Sequence, residues 1–158
     1  MRAFAVARIV MTHQSITVQA TPQTAYALAQ DVSNWPQLLS HYAWVRVLDE
    51  RDYERTLIMA AWRSWVLVRW TAVQRLLPAI PRIEFTHIGG WARGMRVAWL
   101  FDRTESGTKI EIMHDLATVG VPIVRTRLGK SIAARYFINP IASRTLAGMK
   151  RALESSNG

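Results

Sequence analysis

The fold is decided by residues 121–154, which read VPIVRTRLGKSIAARYFINPIASRTLAGMKRALE. Apolar side chains recur there at intervals of three and four residues, which is the spacing of one side of an α-helix. The residues on that side are Leu128, Ile132, Tyr136, Leu146, Met149 and Leu153. No other part of the sequence keeps a helical period for so long. We therefore predict a long amphipathic C-terminal helix, which needs a large apolar surface to cover.

Most of the remaining sequence alternates with period two, as strands do. The predicted strands are residues 15–20, 42–49, 53–62, 65–76, 82–88, 94–103 and 108–118. After the first strand, Thr21 and Pro22 suit the start of a helix, and Ser33 or Asn34 suits the cap of a second short helix. Six consecutive strands with short connections favour an antiparallel meander that can bend around a helix. The predicted fold class is α+β, with a curved antiparallel sheet of about seven strands, two short helices after strand one and the long C-terminal helix.

The length of 158 residues fits one domain, and no linker or repeat divides it. We expect residues 1–14 to be an N-terminal extension that need not be ordered, residues 15–154 to be the single domain, and residues 155–158 to be a tail. The first residues show neither a secretory signal nor a membrane span, because Arg8 interrupts their apolar centre and no small-residue cleavage site follows. The predicted location is the cytoplasm, and the alternative is a peripheral position on the membrane.

The composition is half hydrophobic and includes seven Trp, which suits either a solid core or an apolar cavity. A cavity would form where the helix and the sheet diverge. There is no Cys, so a disulfide, a thiolate nucleophile and a Cys zinc site are excluded. The four His lack metal-ligand spacing, and no phosphate-binding loop or nucleophile elbow is present, so we expect no metal and no cofactor.

The net charge is +9, and the C-terminal region is the most basic part of the chain. A basic outer face on the long helix would attract an anionic membrane surface or an acidic partner such as an acyl carrier protein. A helix face that is merely solvated explains the same charges equally well. Nucleic acid is not expected, because no nucleic-acid-binding motif accompanies the charge. The basic residues are Arg125, Arg127, Lys130, Arg135, Arg144, Lys150 and Arg151.

Asn139 and Pro140 interrupt the helical pattern. Proline has no N–H for the carbonyl of Tyr136, so the helix should either kink or restart there. A restart would use Asn139 as the N-cap and Pro140 as the first helical residue.

The run from Asp31 to Tyr42, DVSNWPQLLSHY, resembles the corner of the polyketide cyclase and coenzyme Q-binding START-like proteins, which belong to the Bet v 1-like helix-grip (SRPBCC) superfamily. Further similarities are the Ala20-Thr21-Pro22 opening, the Gly107-Thr108 turn, Trp99 and the terminal Leu146, Met149, Lys150 and Glu154. The resemblance covers residues 15–154 and is closest to the polyketide aromatase/cyclases. It implies a helix-grip fold, and it carries less weight for activity because the family mixes cyclases with lipid and quinone binders.

The resemblance also implies ligand-binding residues. Trp35 and Tyr42 match aromatic residues at the pocket mouth, Trp70 matches a strand Trp, and Met95 and Trp99 match cavity-lining residues. Aromatase/cyclases carry an arginine further along the Trp70 strand on the same face. Alternation puts Gln74 there instead, and Arg75 points to the other face unless a bulge intervenes. Enolate stabilisation thereby loses its obvious electrophile.

Two further candidates come from the residues themselves. His114 alternates with Ile110, Ile112 and Leu116, so it should face the concave side, where it is either a general acid/base or a hydrogen-bonded wall residue. Tyr136 on the long helix should face the same space. The catalytic candidates are thus Gln74, His114 and Tyr136, and the ligand-binding candidates are Trp35, Tyr42, Trp70, Met95, Trp99, His114 and Tyr136.

Two functional hypotheses remain. In the first, the protein is a polyketide aromatase/cyclase whose cavity folds a poly-β-keto chain for aldol closure and loss of water. In the second, it is a non-catalytic carrier of a quinone or lipid, and the cavity only shields its cargo. Both hypotheses need a hydrophobic small molecule bound between the sheet and the C-terminal helix.

Overall fold

The computed structural model describes residues 11–120 and 122–155. Seven strands form one antiparallel sheet in the order β1-β7-β6-β5-β4-β3-β2. The strands are β1 (Met11–Val18), β2 (Tyr42–Arg51), β3 (Glu54–Arg63), β4 (Val66–Leu77), β5 (Arg82–Gly89), β6 (Arg96–Thr104) and β7 (Gly107–Asp115). The helices are α1 (Pro22–Gln30), α2 (Trp35–Leu38), α3 (Pro122–Arg125), α4 (Arg127–Ala133) and α5 (Asn139–Ser155). A 3-10 turn (Val32–Asn34) precedes α2, and a π turn (Ala134–Ile138) joins α4 to α5. The predicted fold class and element order are confirmed.

The first strand is longer than predicted. It begins at Met11, four residues before the predicted start at Ser15, because β1 pairs with β7 along its whole length, from Met11 opposite Asp115 to Val18 opposite Thr108. This outer part of β1 is half exposed and therefore shows little apolar alternation. Residues 1–10 of the predicted N-terminal extension and residues 156–158 of the predicted tail lie outside the described residues.

Helix α1 is fixed at both ends by side chains. The hydroxyl oxygen of Thr21 accepts a hydrogen bond from the N–H of Thr24 at 3.1 Å, which confirms the predicted N-cap. At the other end the carbonyl oxygen of Gln30 accepts from Arg55 Nη1 at 3.0 Å and from Gln74 Nε2 at 3.1 Å. The carbonyl that the helix leaves without an internal partner is thus satisfied from the sheet.

The second short helix forms, but its predicted side-chain cap is wrong. The N-cap position of α2 is Asn34, whose side chain makes no capping hydrogen bond, and none is made at the start of the preceding 3-10 turn. Helix α2 is held by its own backbone instead, because the N–H of Leu39 donates to the carbonyl of Trp35 at 2.7 Å.

Helix α5 covers the concave face of the sheet. Its inner side carries Leu146, Met149 and Leu153, all buried as the helical period predicts. Burying a side chain of this size stabilises the fold by roughly 1.5–3 kcal/mol. Lys150 extends along the same helix and donates to the carbonyl of Thr17 in β1 at 2.7 Å and to Glu154 at 2.9 Å. These contacts hold α5 against β1 and the sheet.

The first half of the predicted long helix does not bury its apolar side, and this prediction is wrong. Leu128, Ile132 and Tyr136 are all exposed, whereas Ala133 and Ile138 are buried. The cause is the π turn, which contains one residue more than an α-helical turn. The extra residue rotates the side chains before the turn by about 100° around the helix axis relative to those after it. A straight α-helix would put Leu128 on the same side as Leu146; the extra residue turns it outwards.

The π turn ends where Pro140 follows. The carbonyl of Tyr136, which Pro140 cannot bond, accepts a hydrogen bond from Arg63 Nε at 2.5 Å. Asn139 has helical backbone angles, and its side chain accepts from Gln14 Nε2 at 2.8 Å instead of capping a new helix. Of the two predicted alternatives, the restart with Asn139 as the N-cap is wrong, and β3 supplies the partner that Pro140 cannot give the Tyr136 carbonyl.

Along the described residues, no helix has the length and apolar character that crossing a bilayer would require.

Candidate functional site

A cavity of about 80 Å3 lies between the concave face of the sheet and the residues from Phe137 to Thr145. Strands β4 to β7 form its floor and one wall, and α2 closes another side. Its surface is mainly apolar. Six of the predicted ligand-binding residues line it together: Trp35, Tyr42, Trp70, Met95, Trp99 and His114.

Trp35 is the centre of the aromatic wall. Its ring packs against Tyr42 with centroids 5.1 Å apart and against Trp99 at 5.5 Å. Its indole N–H donates to the carbonyl of Ala29 at 3.0 Å, which fixes the ring to the end of α1. Trp35 is fully packed, so its indole is a permanent part of the wall.

Two histidines face the cavity from the sheet. His87 on β5 stacks on Trp70 with parallel rings whose centroids are 5.9 Å apart. His114 lies two strands away on β7, across β6, so the two backbones are roughly 10 Å apart. Both side chains are buried, and the Nδ1 atom of each has no hydrogen-bond partner within the described part of the protein. Buried imidazoles with an unpartnered nitrogen are uncommon, since leaving such an atom unpaired costs about 1–3 kcal/mol.

Burial keeps both imidazoles neutral. It lowers the pKa of His87 to about 4. Burial also lowers the pKa of His114, with a smaller contribution from the nearby His87, to about 3. At neutral pH each ring therefore offers one N–H donor and one nitrogen acceptor, and neither carries charge.

A third histidine anchors the edge of the cavity. His41 Nε2 lies 2.9 Å from the hydroxyl oxygen of Thr145, and that hydroxyl donates to the carbonyl of Ile141 at 2.8 Å. Burial, followed by the charge of Arg144, lowers the pKa of His41 to about 4. Burial also raises the pKa of the adjacent Tyr42 phenol above its usual range. This network joins the start of β2 to α5.

Gln74 faces inwards, as alternation predicts, and Arg75 is exposed. The amide of Gln74 is nevertheless not part of the cavity lining. It donates to the carbonyl of Gln30 and accepts from Arg55 Nη1 at 3.3 Å. An inward arginine thus exists on β3 opposite Gln74, but it holds the end of α1 and does not reach the cavity. In this conformation Gln74 is placed to stabilise the helix–sheet junction.

Tyr136 does not face the cavity, contrary to the expectation from the helical period. Its side chain is exposed, and the π turn brings its neighbour Phe137 to the cavity instead. Phe137 packs against Trp91 of the β5–β6 loop with ring centroids 5.5 Å apart. These two rings, one from the helical region and one from the loop, lie together at one side of the cavity.

His87, Trp91 and Phe137 are cavity residues that the sequence reasoning missed. His87 alternates with Ile83 and Phe85, which are both buried, so the same period that found His114 could have found it. Trp91 lies in a loop, where no period applies. Phe137 was hidden because a π turn shifts the helical phase without leaving a mark in the sequence.

The comparisons with known proteins agree with this architecture. Residues 18–141 match the model of a family described as polyketide cyclase / dehydrase and lipid transport. A protein of Streptomyces cyaneus, provisionally named a polyketide cyclase, is 26% identical over 114 residues, which are 67% of this chain and 72% of the relative.

Two solved structures show the same fold. The di-domain ARO/CYC StfQ from the steffimycin biosynthetic pathway is similar with a TM-score of 0.79 at 19% identity; the match covers 98% of this chain and 54% of StfQ, so this chain corresponds to about half of that protein. A START superfamily protein from Mycobacterium smegmatis is similar with a TM-score of 0.68 at 14% identity, over 92% of this chain and 97% of the other. The helix-grip, START-like fold is confirmed, and with the family model matching most of its length the chain belongs to the polyketide cyclase / dehydrase and lipid transport family.

Proposed function

We propose that this protein binds a hydrophobic small molecule bearing a carbonyl or hydroxyl oxygen, in the cavity between the sheet and the C-terminal helices, and that it acts as a polyketide cyclase/aromatase-like protein. The observation that carries the proposal is the pair of unpartnered imidazole nitrogens, on His87 and His114, in otherwise apolar aromatic walls.

The chemistry of these walls selects the ligand. Apolar transfer at about 25 cal/mol per Å2 would supply most of the affinity, and the imidazoles would orient the guest. A neutral imidazole can donate one hydrogen bond to a carbonyl oxygen or accept one from a phenol. A ligand oxygen near His87 or His114 would satisfy a nitrogen that the protein leaves unpaired, so a guest with one polar group is favoured over a pure hydrocarbon.

The size of the cavity requires movement before such a ligand can enter. About 80 Å3 is well below the ~300 Å3 of an ordinary small-molecule pocket. The contact between Trp91 and Phe137 is the part of the wall best placed to open, because the helical region that carries Phe137 buries little apolar surface of its own: Leu128, Ile132 and Tyr136 all face outwards. Entry would separate these two rings and leave Trp35 in place.

Under the cyclase hypothesis, a neutral imidazole N–H donates to a carbonyl of a poly-β-keto chain and stabilises the enol form of that carbonyl. The enol carbon of one segment then attacks the carbonyl carbon of another, forming the ring bond, and the enol proton passes to the former carbonyl oxygen, which becomes a hydroxyl. This hydroxyl leaves as water with a proton from the adjacent ring carbon, and a C=C bond forms. Family membership, the similarity to the Streptomyces cyaneus protein and the fold shared with the ARO/CYC protein StfQ support this hypothesis. Aromatic walls on several sides would hold the chain in a folded conformation.

The second candidate is a non-catalytic carrier of a quinone or lipid. It is favoured by the pKa values of about 4 and 3 for His87 and His114, because a proton-transfer catalyst works best with a pKa near the working pH. It is also favoured by the lining itself: among the described residues around the cavity there is no Arg, Lys, Asp or Glu. Gln74 serves α1, so it supplies no electrophile here.

The experiment combines extraction and titration. Purified protein would be extracted with solvent and the extract analysed by mass spectrometry, and intrinsic Trp fluorescence would be titrated with a short-chain quinone and with a naphthol. We expect saturable quenching by an oxygen-bearing aromatic compound, about tenfold weaker in the variant His87→Phe/His114→Phe, because the hydrogen bonds are lost while the apolar volume is kept. The exposed variant His13→Phe is the matched control.

The two candidates separate in a reconstituted polyketide synthase. A changed product pattern, altered again by His114→Phe, supports the cyclase, whereas co-purifying quinone or acyl lipid with an unchanged product pattern supports the carrier. Absence of any saturable binding, with no co-purifying compound, contradicts both.

A further inference from the structure

One end of the molecule exposes more large apolar side chains than the other. The turn between β3 and β4, here called the hairpin tip (residues 62–67), carries Trp65 with 87% of its surface exposed. Trp62 and Leu67 form a cross-strand pair beside it, and both are exposed as well. Ser64 within the tip has a φ of 56°, a left-handed conformation that costs a non-glycine residue energy. The protein therefore presents tryptophan at this tip instead of packing it.

A second apolar element lies at the same end. The exposed stripe on the helical region, here called the outer stripe, consists of Leu128, Ile132 and Tyr136, and Leu128 is 71% exposed. The outer stripe is joined to the hairpin tip by the hydrogen bond from Arg63 Nε to the carbonyl of Tyr136. The helical region starts beside the β5–β6 loop, where the N–H of Gly120 donates to the carbonyl of Arg93 at 3.1 Å. It therefore spans from that loop to the hairpin tip, across one end of the sheet.

Charge divides the molecule between its two ends. No Asp or Glu occurs from residue 55 to residue 83 or from residue 116 to residue 153. The cations of the β3–β4 hairpin near its tip and of the helices at this end are Arg63, Arg69, Arg125, Arg127, Lys130 and Arg135. Asp115, at the end of β7, is the one acid that the described strands bring there.

Six of the eleven acids lie at the opposite end, here called the acidic end. The β2–β3 and β6–β7 turns carry them, together with Arg51 and Arg103: Asp49, Glu50, Asp52, Glu54, Asp102 and Glu105. The net charge of +9 is therefore not spread evenly, and the exposed tryptophan lies at the positive end.

We propose that this basic end, made of the hairpin tip and the outer stripe, docks on an anionic membrane surface. Tryptophan and branched aliphatic side chains partition into the headgroup region, and arginines beside them pair with anionic lipid headgroups. A β-hairpin tip that projects a nearly bare indole suits shallow insertion into lipid. A folded protein partner would instead need a complementary surface shaped around it.

The cavity lies near the same basic end of the molecule. Trp70, His87, Trp91 and Phe137 lie towards the hairpin tip and the β5–β6 loop, not towards the acidic turns. A protein docked there would present the contact between Trp91 and Phe137 near the lipid, so a hydrophobic ligand could pass between bilayer and cavity without crossing water. The purpose of docking rests on the proposed function, but the docking itself does not.

The test is binding to vesicles of phosphatidylcholine with and without phosphatidylserine, measured by co-sedimentation and by the blue shift of Trp fluorescence. We expect binding that requires phosphatidylserine and weakens with salt. Trp65→Ser should weaken it at least ~10-fold, and Leu128→Ser/Ile132→Ser by a similar factor, because each removes exposed apolar surface that lipid would cover. Arg125→Glu/Arg127→Glu should reduce it further.

Matched controls exist at the acidic end. Tyr53 and Ile80 are 62% and 64% exposed, so Tyr53→Ser and Ile80→Ser remove comparable apolar surface away from the proposed contact. Arg75→Glu removes an exposed arginine from the outer face of the sheet. These three variants should bind vesicles as the parent does. Circular dichroism should show every variant folded, since all the changed side chains are exposed.

Several outcomes would overturn the proposal. The first is no binding to phosphatidylserine vesicles even at low salt, and the second is binding that the acidic-end variants weaken as much as Trp65→Ser does. A third is capture of an acidic acyl carrier protein, or dimerisation in sedimentation analysis, that Trp65→Ser abolishes while vesicles are not bound. Ligand titration of the parent separates the two proposals: vesicle binding without ligand binding would refute the proposed function and leave the docking intact.

Discussion

The two halves of the C-terminal helical region carry the same apolar spacing and lie in opposite surroundings. In α5 the apolar side covers the sheet, and Met149 is fully buried. In α4 the corresponding residues, Leu128 and Ile132, face solvent. The sequence pattern is alike in both, so the difference comes from the single π turn between them. A periodic pattern therefore indicates that a helix is amphipathic. Which side of the helix is buried depends on how the helix is rotated about its axis relative to the sheet.

Acid should produce the largest effect. His87 and His114 lie beneath the helices with pKa values of about 4 and 3, below the ~6.5 of the unfolded chain. The unfolded chain takes up protons first as the pH falls below ~6.5, so stability present at pH 7 is lost progressively towards pH 4. Between pH 7 and pH 5 we expect a loss of roughly 2 kcal/mol for each imidazole in the free energy of unfolding, measured by urea denaturation.

The contrast between α4 and α5 predicts which amides report this loss of stability. The protection factors of α5 amides, which are corrected for the slower intrinsic exchange at low pH, should decrease with global stability as the pH falls. Those of α4 amides should already be low at pH 7 because little apolar surface of α4 is buried. The variant His114→Met should remove about 2 kcal/mol of this loss, whereas His87 and His41, which both have a pKa of about 4, should keep the rest. An equally steep pH profile in that variant would assign the acid sensitivity to other groups.

Truncation of one apolar residue in each half should give the next largest contrast. Met149→Ala removes a fully buried side chain and should lower the free energy of unfolding by about 3 kcal/mol. Leu128→Ala should change it by less than about 0.5 kcal/mol, because its side chain is 71% exposed. Urea denaturation of both variants checks this, and similar losses from the two would show that the outer stripe is covered in solution.

A smaller loss should follow from adding a methyl group to the buried half. A Cβ on Gly148 would lie 2.3 Å from Cδ2 of Leu39, which is itself buried and has little room to move. Gly148→Ala should therefore lower the free energy of unfolding by about 1 kcal/mol, overpacking outweighing the better helix propensity of alanine. In a Leu39→Ala background the same change should be neutral or stabilising; a loss there too would rule out the collision with Leu39.

The smallest expected effect concerns the π turn. Arg63→Ala removes the donor to the Tyr136 carbonyl and should lower the free energy of unfolding by at most about 1 kcal/mol, because water can replace an exposed hydrogen bond. Protection of α4 and π-turn amides from hydrogen exchange should fall more than that of α5. Arg69→Ala, an exposed change near the same tip, is the control, and equal effects of the two variants would mean that Arg63 does not hold the π turn.

Much of the candidate site was accessible from the sequence. Period-two alternation placed His114 and Gln74 on the inner face of the sheet, and family resemblance brought Trp35, Tyr42 and Trp70 to the cavity. The sequence predicted where these side chains lie better than it predicted what they contact. Gln74 turned out to bond the end of α1, because Arg55 and the carbonyl of Gln30 reach it from elements distant in sequence. The tertiary neighbours, and not the strand period, decide whether an inward polar group meets a ligand or another side chain.

The sequence by itself determined the class of fold and which residues of each strand face inwards, since both follow from local periods of two and 3.6 residues that each segment carries alone. Only the tertiary structure decided the phase of α4, which the π turn sets, the partner of Gln74, the placement of His87 and His114 on the two strands beside β6, and the meeting of Trp91 with Phe137. The last three depend on the register between segments far apart in the chain, which no single segment encodes. The concentration of cations and exposed tryptophan at one end arises in the same way, from turns and helices that the strand reversals bring together.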